Sequence, residues 1–267
     1  MNYDDDRAIA AKALSLLDLT SLNDDDTEQS IRQLCEQARS IEADGTEHRV
    51  AAICIYPRFV PFARQVLDDL GLYDVRIATV ANFPHGRSDI DSAVKETKAC
   101  IAYGADEVDV VMPYHALLEG DETTVFNLIS ACKAACESNA LLKVIFETGE
   151  LEDATLIAQA SDIAIKAGAD FIKTSTGKVA VNATPDAAQV MLKRIQSQPR
   201  AVGFKPAGGV KTLDDVRTYF KLVEHSVGLE RLNPSYFRFG ASSLLQALRQ
   251  ALSIDTNFPS STRKEHY

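Results

Sequence analysis

Three charged residues occupy stretches of the chain that otherwise read as apolar strands. Lys173 lies in FIKTSTG, Lys205 in VGFKPAGG and Asp109 in EVDVVMP. Alternate residues of an extended chain share a side. Lys173 therefore joins Phe171 and Ser175, Lys205 joins Gly203, and Asp109 joins Glu107 and Val111. Burying such charges is costly unless they are paired. One explanation is a structural ion network, in which Asp109 pairs with one lysine and the other reaches out to water. The other explanation is chemical. Two close ammonium groups repel, each disfavours the other's charge, and desolvation acts in the same direction. A neutral amine at pH 7 attacks carbonyls and forms Schiff bases. The residues alone leave open which lysine would be the nucleophile. Lys143, in LLKVIFE, sits earlier in its strand and reads as a deeper, more structural member of the same network.

A second group of residues suits an anion. Gly177-Lys178 follows the Lys173 strand, Gly208-Gly209 follows the Lys205 strand, and Gly240-Ala241-Ser242-Ser243 follows the last strand. Glycines let backbone N–H groups approach a phosphate, and a helix start adds partial positive charge.

Positioning these residues falls to a regular alternation of strands and helices. The strand runs are Leu16–Thr20, Ala51–Tyr56, Val75–Val80, Glu107–Met112, Leu141–Glu147, Phe171–Thr174, Val202–Lys205 and Phe237–Gly240. Helical patterns follow at Arg58–Asp69, Ser88–Tyr103, Glu122–Cys136, Asp153–Ala167, Pro185–Gln196, Leu213–Val223 and Ser242–Leu252. Ser88 is placed to cap one helix, and Thr184 with Pro185 to open another. Strand–helix repetition implies a parallel sheet. Eight strands imply an α/β fold closed as a (β/α)8 TIM barrel, with an extra N-terminal helix, whose C-terminal strand ends carry the active site. An open doubly wound sheet is the alternative; no GxGxxG follows the first strand to support it. The turns Gly104-Ala105-Asp106 and Gly168-Ala169-Asp170 read as helix-to-strand loops on the opposite face. Ser40–Arg49 reads as a polar loop. One barrel domain is expected over residues 1–253, with a flexible tail over 254–267.

Bulk properties exclude several classes. Of 267 residues 46% are hydrophobic, enough for one large core, and the net charge of −10 argues against a nucleic-acid backbone as partner. Five cysteines (Cys35, Cys54, Cys100, Cys132 and Cys136) argue against a disulfide framework. Cys132 and Cys136 lack two further ligands nearby and read as buried small residues. The acidic start MNYDDDRAIA is not that of a signal peptide, and no run spans a membrane, so a cytoplasmic location is expected. The five histidines show no close ligand spacing, which counts against a metal site; no cofactor is expected.

Taken together, the chain resembles the deoxyribose-phosphate aldolase family in its bacterial form. The segments that carry the likeness are LDLTSLNDDDT, AAICIYPRF, ATVANFPHG, YGADEVDVVMPY, FETGEL, AGADFIKTSTGK, VGFKPAGGVK and FRFGASSLL, in order over nearly the whole chain. The resemblance implies a metal-free aldolase that cleaves 2-deoxy-D-ribose 5-phosphate to D-glyceraldehyde 3-phosphate and acetaldehyde, in deoxynucleoside catabolism. It makes Lys173 the Schiff-base lysine, Lys205 the second lysine that lowers the pKa of the first, and Asp109 a proton relay through water. Gly177, Lys178, Gly208, Gly209, Gly240, Ser242 and Ser243 match the phosphate site. Asp18 and Thr20 match the first-strand rim, and Cys54 a dispensable pocket cysteine. Lys211 stands where arginine is common, which keeps the charge but loses the bidentate fork. Tyr267 matches a terminal tyrosine that reaches the pocket for proton transfer, the alternative being a disordered tail. A homodimer is implied by the resemblance alone. The competing readings are a metal-dependent lyase or isomerase and a non-catalytic sugar-phosphate-binding barrel.

Overall fold

The computed structural model describes residues 1–254. The expected tail and Tyr267 lie outside the described residues. Ten strands form in chain order: β1 (Leu17–Ser21), β2 (Arg39–Ile41), β3 (Glu47–Arg49), β4 (Ala52–Ile55), β5 (Arg76–Ala81), β6 (Glu107–Val111), β7 (Leu141–Ile145), β8 (Phe171–Lys173), β9 (Gly203–Lys205) and β10 (Phe239–Ala241). Eight of them make one parallel sheet in the order β10-β1-β4-β5-β6-β7-β8-β9. The ends meet through parallel bridges, Phe204 with Phe237 and Ala207 with Gly240. Backbone bonds such as Phe204 N–H to Tyr236 O at 2.9 Å and Gly240 N–H to Pro206 O at 2.9 Å close the ring. The fold is the expected (β/α)8 barrel.

The main barrel helices are α1 (Asp6–Leu14), α2 (Glu28–Gln37), α3 (Val60–Asp69), α4 (Ile90–Ala102), α5 (Tyr114–Leu118), α6 (Glu122–Cys136), α7 (Thr148–Leu151), α8 (Ala154–Lys166), α9 (Pro185–Gln196), α10 (Leu213–Val227) and α11 (Leu244–Ala251). Many begin at a short oxygen-bearing side chain that accepts a first-turn N–H: Asp5, Thr27, Asp89, Asp121, Asp153, Thr184 and Thr212. Such caps satisfy donors that have no partner within the helix. The fourth helix is capped by Asp89 and not, as expected, by Ser88, because the Asp89 carboxylate reaches Ser92 N at 3.1 Å. The extra N-terminal helix is present as α1 and packs against α10 and α11. Gly104 and Gly168 adopt φ of 96° and 101° at helix ends, as their turns required.

One expectation is corrected. The polar segment Ser40–Arg49 is not a loop: β2 and β3 pair as an antiparallel hairpin. Polar contacts hold it in place of an apolar stripe. Arg249 donates to Ser40 Oγ at 2.8 Å, and His48 meets Glu42 at 2.6 Å.

Most apolar side chains lie between the strands and the helices, as in Val108, Val110, Leu142, Val144 and Ile172. A separate small cluster, Leu22, Ala52, Cys54, Ala78 and Val80, lies among β1, β4 and β5. The rest of the barrel interior is filled with charge.

Candidate active site

The site is assembled from alternate residues of the barrel strands. Asp109 on β6 is opposite Lys143 on β7, and Lys173 on β8 is opposite Lys205 on β9. Phe171 shares the inner side of β8, and its ring fills the space left by Gly203; a Cβ at position 203 would overlap that ring. Gly240 makes similar room for Lys205, whose Cε would lie 3.0 Å from a Cβ there.

Seven buried ionisable side chains meet inside the barrel. Asp109 accepts from Lys143, Lys173 and Lys205, each at 2.8 Å. Lys205 also donates to Asp18 at 2.5 Å, and Lys143 lies 2.5 Å from Glu107. Arg238, just ahead of β10, donates to Asp18 at 2.6 Å and to Glu107 at 2.7 Å. The sequence-based pairing of Asp109 with one lysine and escape of the other is therefore corrected: all three lysines turn inward on it.

The partners divide unequally among the lysines. Lys143 has Asp109 and Glu107, with Asp18 at 3.7 Å. Lys205 has Asp18 and Asp109. Lys173 has Asp109. Burial alone depresses all three, because it disfavours the ammonium. In Lys205 the pull of Asp109 and Asp18 overcomes burial, and its pKa rises. In Lys143 Asp109 and Glu107 do the same. In Lys173 burial prevails over Asp109 with help from the Lys205 charge, and the pKa falls below the ordinary lysine value. Mutual depression of both rim lysines, expected from repulsion alone, does not occur. The carboxylates move the other way. Burial would raise Asp109 and Asp18, but the surrounding cations hold both well below the usual range.

The other expected residues divide between rim and surface. Thr20 is buried beside Cys54 and donates to Asp18 O at 2.8 Å. Cys54 is fully buried, and burial pushes its thiol up. Gly177, Gly208 and Gly209 all take positive φ, in loops after β8 and β9. Those loops touch, since Asn182 lies against Gly208 with no room for a Cβ. Lys178 crosses the mouth and donates to Leu22 O at 2.7 Å. Ser242 and Ser243 are half-buried at the start of α11, and the Ser243 hydroxyl has no hydrogen-bond partner. Lys211 is exposed, with its N–H donating to Asp215 ahead of α10.

Four residues at or near the site were not singled out as site residues from sequence. Arg238 is signalled by a lone arginine between phenylalanines in FRFGA. Glu107 shares a side with Asp109. Glu147, two residues beyond β7, is in a left-handed conformation and accepts from Thr176 N at 3.1 Å and Thr176 Oγ1 at 2.5 Å. Ser175, two residues after Lys173, is buried and its hydroxyl has no partner. Among the described residues no group of three or more His, Cys, Asp or Glu is arranged to hold a metal ion.

A closed parallel barrel with ionisable side chains converging inside it is a (β/α)8 enzyme architecture. The sequence model of the DeoC/LacD family aldolases matches residues 12–249, and the chain belongs to that family. Its structure is similar to that of a candidate deoxyribose-phosphate aldolase from Coccidioides immitis, at 30% identity and a TM-score of 0.77, over 90% of this chain and 86% of that one. A candidate deoxyribose-phosphate aldolase from Toxoplasma gondii shares the fold at 22% identity and a TM-score of 0.82, covering 96% and 98%. The deoxyribose phosphate aldolase of Aeropyrum pernix shares it at 24% and 0.70, covering 92% and 97%.

Proposed function

We propose that this aldolase cleaves 2-deoxy-D-ribose 5-phosphate reversibly to D-glyceraldehyde 3-phosphate and acetaldehyde, through an imine on Lys173. The observation that carries the reading is the inequality of the three lysines. Lys173 is the one whose burial is least offset by carboxylates, so it is the best nucleophile of the three. The family membership supplies the reaction class, and the likeness at 30% identity supports the substrate.

In this mechanism the neutral Lys173 amine attacks C1 of the open-chain aldehyde. Loss of water gives an imine, whose protonated nitrogen stays beside the Asp109 carboxylate. That carboxylate favours the cation and so favours the iminium. The C3 hydroxyl proton leaves through a water held by Asp109 or Lys205. The C2–C3 bond then breaks and its electrons flow into the iminium, which does the work a Lewis-acid metal does in other aldolases. The resulting enamine takes a proton on carbon, with Tyr267 as the proposed donor. Hydrolysis releases acetaldehyde and restores Lys173. Gly177, Lys178, Gly208, Gly209, Ser242 and Ser243 would hold the phosphate, and Lys211 would add charge at its edge. We further propose a cytoplasmic homodimer acting in deoxynucleoside catabolism; no helix among the described residues is long and apolar enough to cross a membrane.

The test is borohydride reduction in the presence of acetaldehyde, followed by peptide mapping. A single ethyl adduct on Lys173 is expected. An adduct on Lys205 or Lys143, or none, would overturn the assignment.

A further inference from the structure

The interior of the barrel is not balanced in charge. Lys143, Lys173, Lys205 and Arg238 face Asp18, Glu107 and Asp109, four cations against three carboxylates. All seven are buried. Arg76 also approaches Glu107, at 3.8 Å, but is half-exposed and screened by water. Glu147 is buried nearby, yet its carboxylate is taken up by Thr176, and burial favours its acid form. Cys54 is buried near Lys205 and Lys173, and burial pushes its thiol up and favours the neutral form. A closed interior of this kind tolerates an unpaired charge poorly. One cation must give up its proton, and arginine does not.

We propose that Arg238 is a positioning residue for the reaction: by occupying Asp18 and Glu107, it leaves the interior one carboxylate short and makes Lys173 the free amine. Arg238 precedes β10 and its partner Glu107 opens β6, so it lies towards the N-terminal ends of the strands, away from the C-terminal rim. Its guanidinium lies between Asp18 on β1 and Glu107 on β6, with the Phe171 ring of β8 at 5.9 Å. Those two carboxylates are also partners of Lys205 and Lys143. Whatever Arg238 takes from them is lost to the two lysines, which then lean more heavily on Asp109. Asp109 is the carboxylate that Lys173 must share. The chain of contacts thus runs from Arg238 through Asp18 and Lys205, and through Glu107 and Lys143, to Asp109 and Lys173.

This inference rests on Lys173 being the imine-forming residue, and its test separates the two ideas. The ionisation of Lys173 is followed against pH in the full-length protein by two readouts. One is imine trapping with acetaldehyde and borohydride. The other is acylation of Lys173 by a small amine-directed reagent, mapped by peptide mass, which requires no turnover. In Arg238→Met the acid limb of Lys173 reactivity should move up by about 1 pH unit. At a pH below that limb, reactivity should fall about tenfold. Arg238→Lys keeps the charge and should leave the limb near its wild-type position. Glu107→Gln deepens the shortage and should move the limb down, in the opposite sense. The double variant Arg238→Met/Glu107→Gln restores a surplus of one cation and should return the limb towards wild type. Should Arg238→Met fail to fold, the downward shift in Glu107→Gln and the double variant decide the matter. Equal limbs in wild type, Glu107→Gln and the double variant overturn the inference, as does an upward shift in Glu107→Gln. Acylation limbs that move as stated, with no imine on Lys173, overturn the functional reading and leave the charge argument standing.

Discussion

Lys205 and Lys173 are opposite one another in the register and share one carboxylate, yet their protons behave differently. The difference is Asp18, which serves Lys205 at 2.5 Å. Lys205 is thus a fixed positive charge next to an amine that burial has already pushed towards neutrality. Removing it should do two things. In Lys205→Leu the pKa of Lys173 rises, so less free amine is available at neutral pH, and the proton path through the rim water is broken. A fall in kcat on the order of 10²-fold or more is expected. The acid limb of the kcat profile should move to higher pH. Lys205→Arg keeps the charge and should preserve the limb while turnover still falls. Near-normal activity of Lys205→Leu at neutral pH would contradict the coupling. Sequence reasoning could see that two lysines and an aspartate share apolar strands. It could not see that a second carboxylate, Asp18, favours one lysine, because that depends on which strands are neighbours across the closed barrel.

At the scale of elements, the strands were legible because each is an apolar run bounded by turn residues. All eight barrel strands occur within two residues of the expected limits, and of the seven expected helices Glu122–Cys136 and Pro185–Gln196 occur as expected while the others have a shifted end. What escaped was short or polar. The β2–β3 hairpin has three-residue arms fixed by Arg249 and Glu42, so no alternating apolar pattern marks it. The short helices α5 and α7 lie in the loops after β6 and β7, below the length at which a helical period can be read. Arg238 was missed because the FRFGA stretch is weakly patterned. One element-level prediction concerns β9. Gly203 has no side chain because the Phe171 ring of β8 occupies that volume. Gly203→Ala should push the ring aside, disturb Lys173 two residues along β8, and cost about 1–3 kcal/mol. Chemical denaturation should show the loss. Pairing the change with Phe171→Leu should recover part of it. An unaltered midpoint in Gly203→Ala would show that β8 and β9 are not packed through this ring.

For the whole molecule, a barrel filled with charge ties stability to pH. The folded pKa values of Asp18 and Asp109 lie below those of the unfolded chain. Their contribution is complete above the unfolded Asp value of about 4, and is lost progressively as pH falls below it towards the folded values. Glu147 has the opposite sign, since its folded pKa is raised, and it offsets part of this loss. Lys173 does not shape the acid limb. Its depressed pKa costs stability as pH drops below the unfolded lysine value, and the cost is constant once both states are protonated. Lys143, with its raised pKa, contributes stability that is lost only at alkaline pH. Stability should therefore decline as pH drops through the range where Lys173 is neutral in the fold and protonated in the unfolded chain, and fall more steeply in acid as the carboxylates protonate. Asp109→Asn isolates the central group. At neutral pH it leaves the Lys143 and Lys205 ammonium groups and the Lys173 amine around a neutral amide, and a loss of about 3–5 kcal/mol is expected. As pH falls, wild type protonates the same position and loses the same attraction, so the gap between the two proteins should narrow. Urea unfolding followed by circular dichroism at a series of acid pH values measures that gap directly. A gap that stays constant as the wild type approaches acid unfolding would mean that Asp109 is not the ionised hub of the barrel, and that the acid limb comes from the surface carboxylates instead.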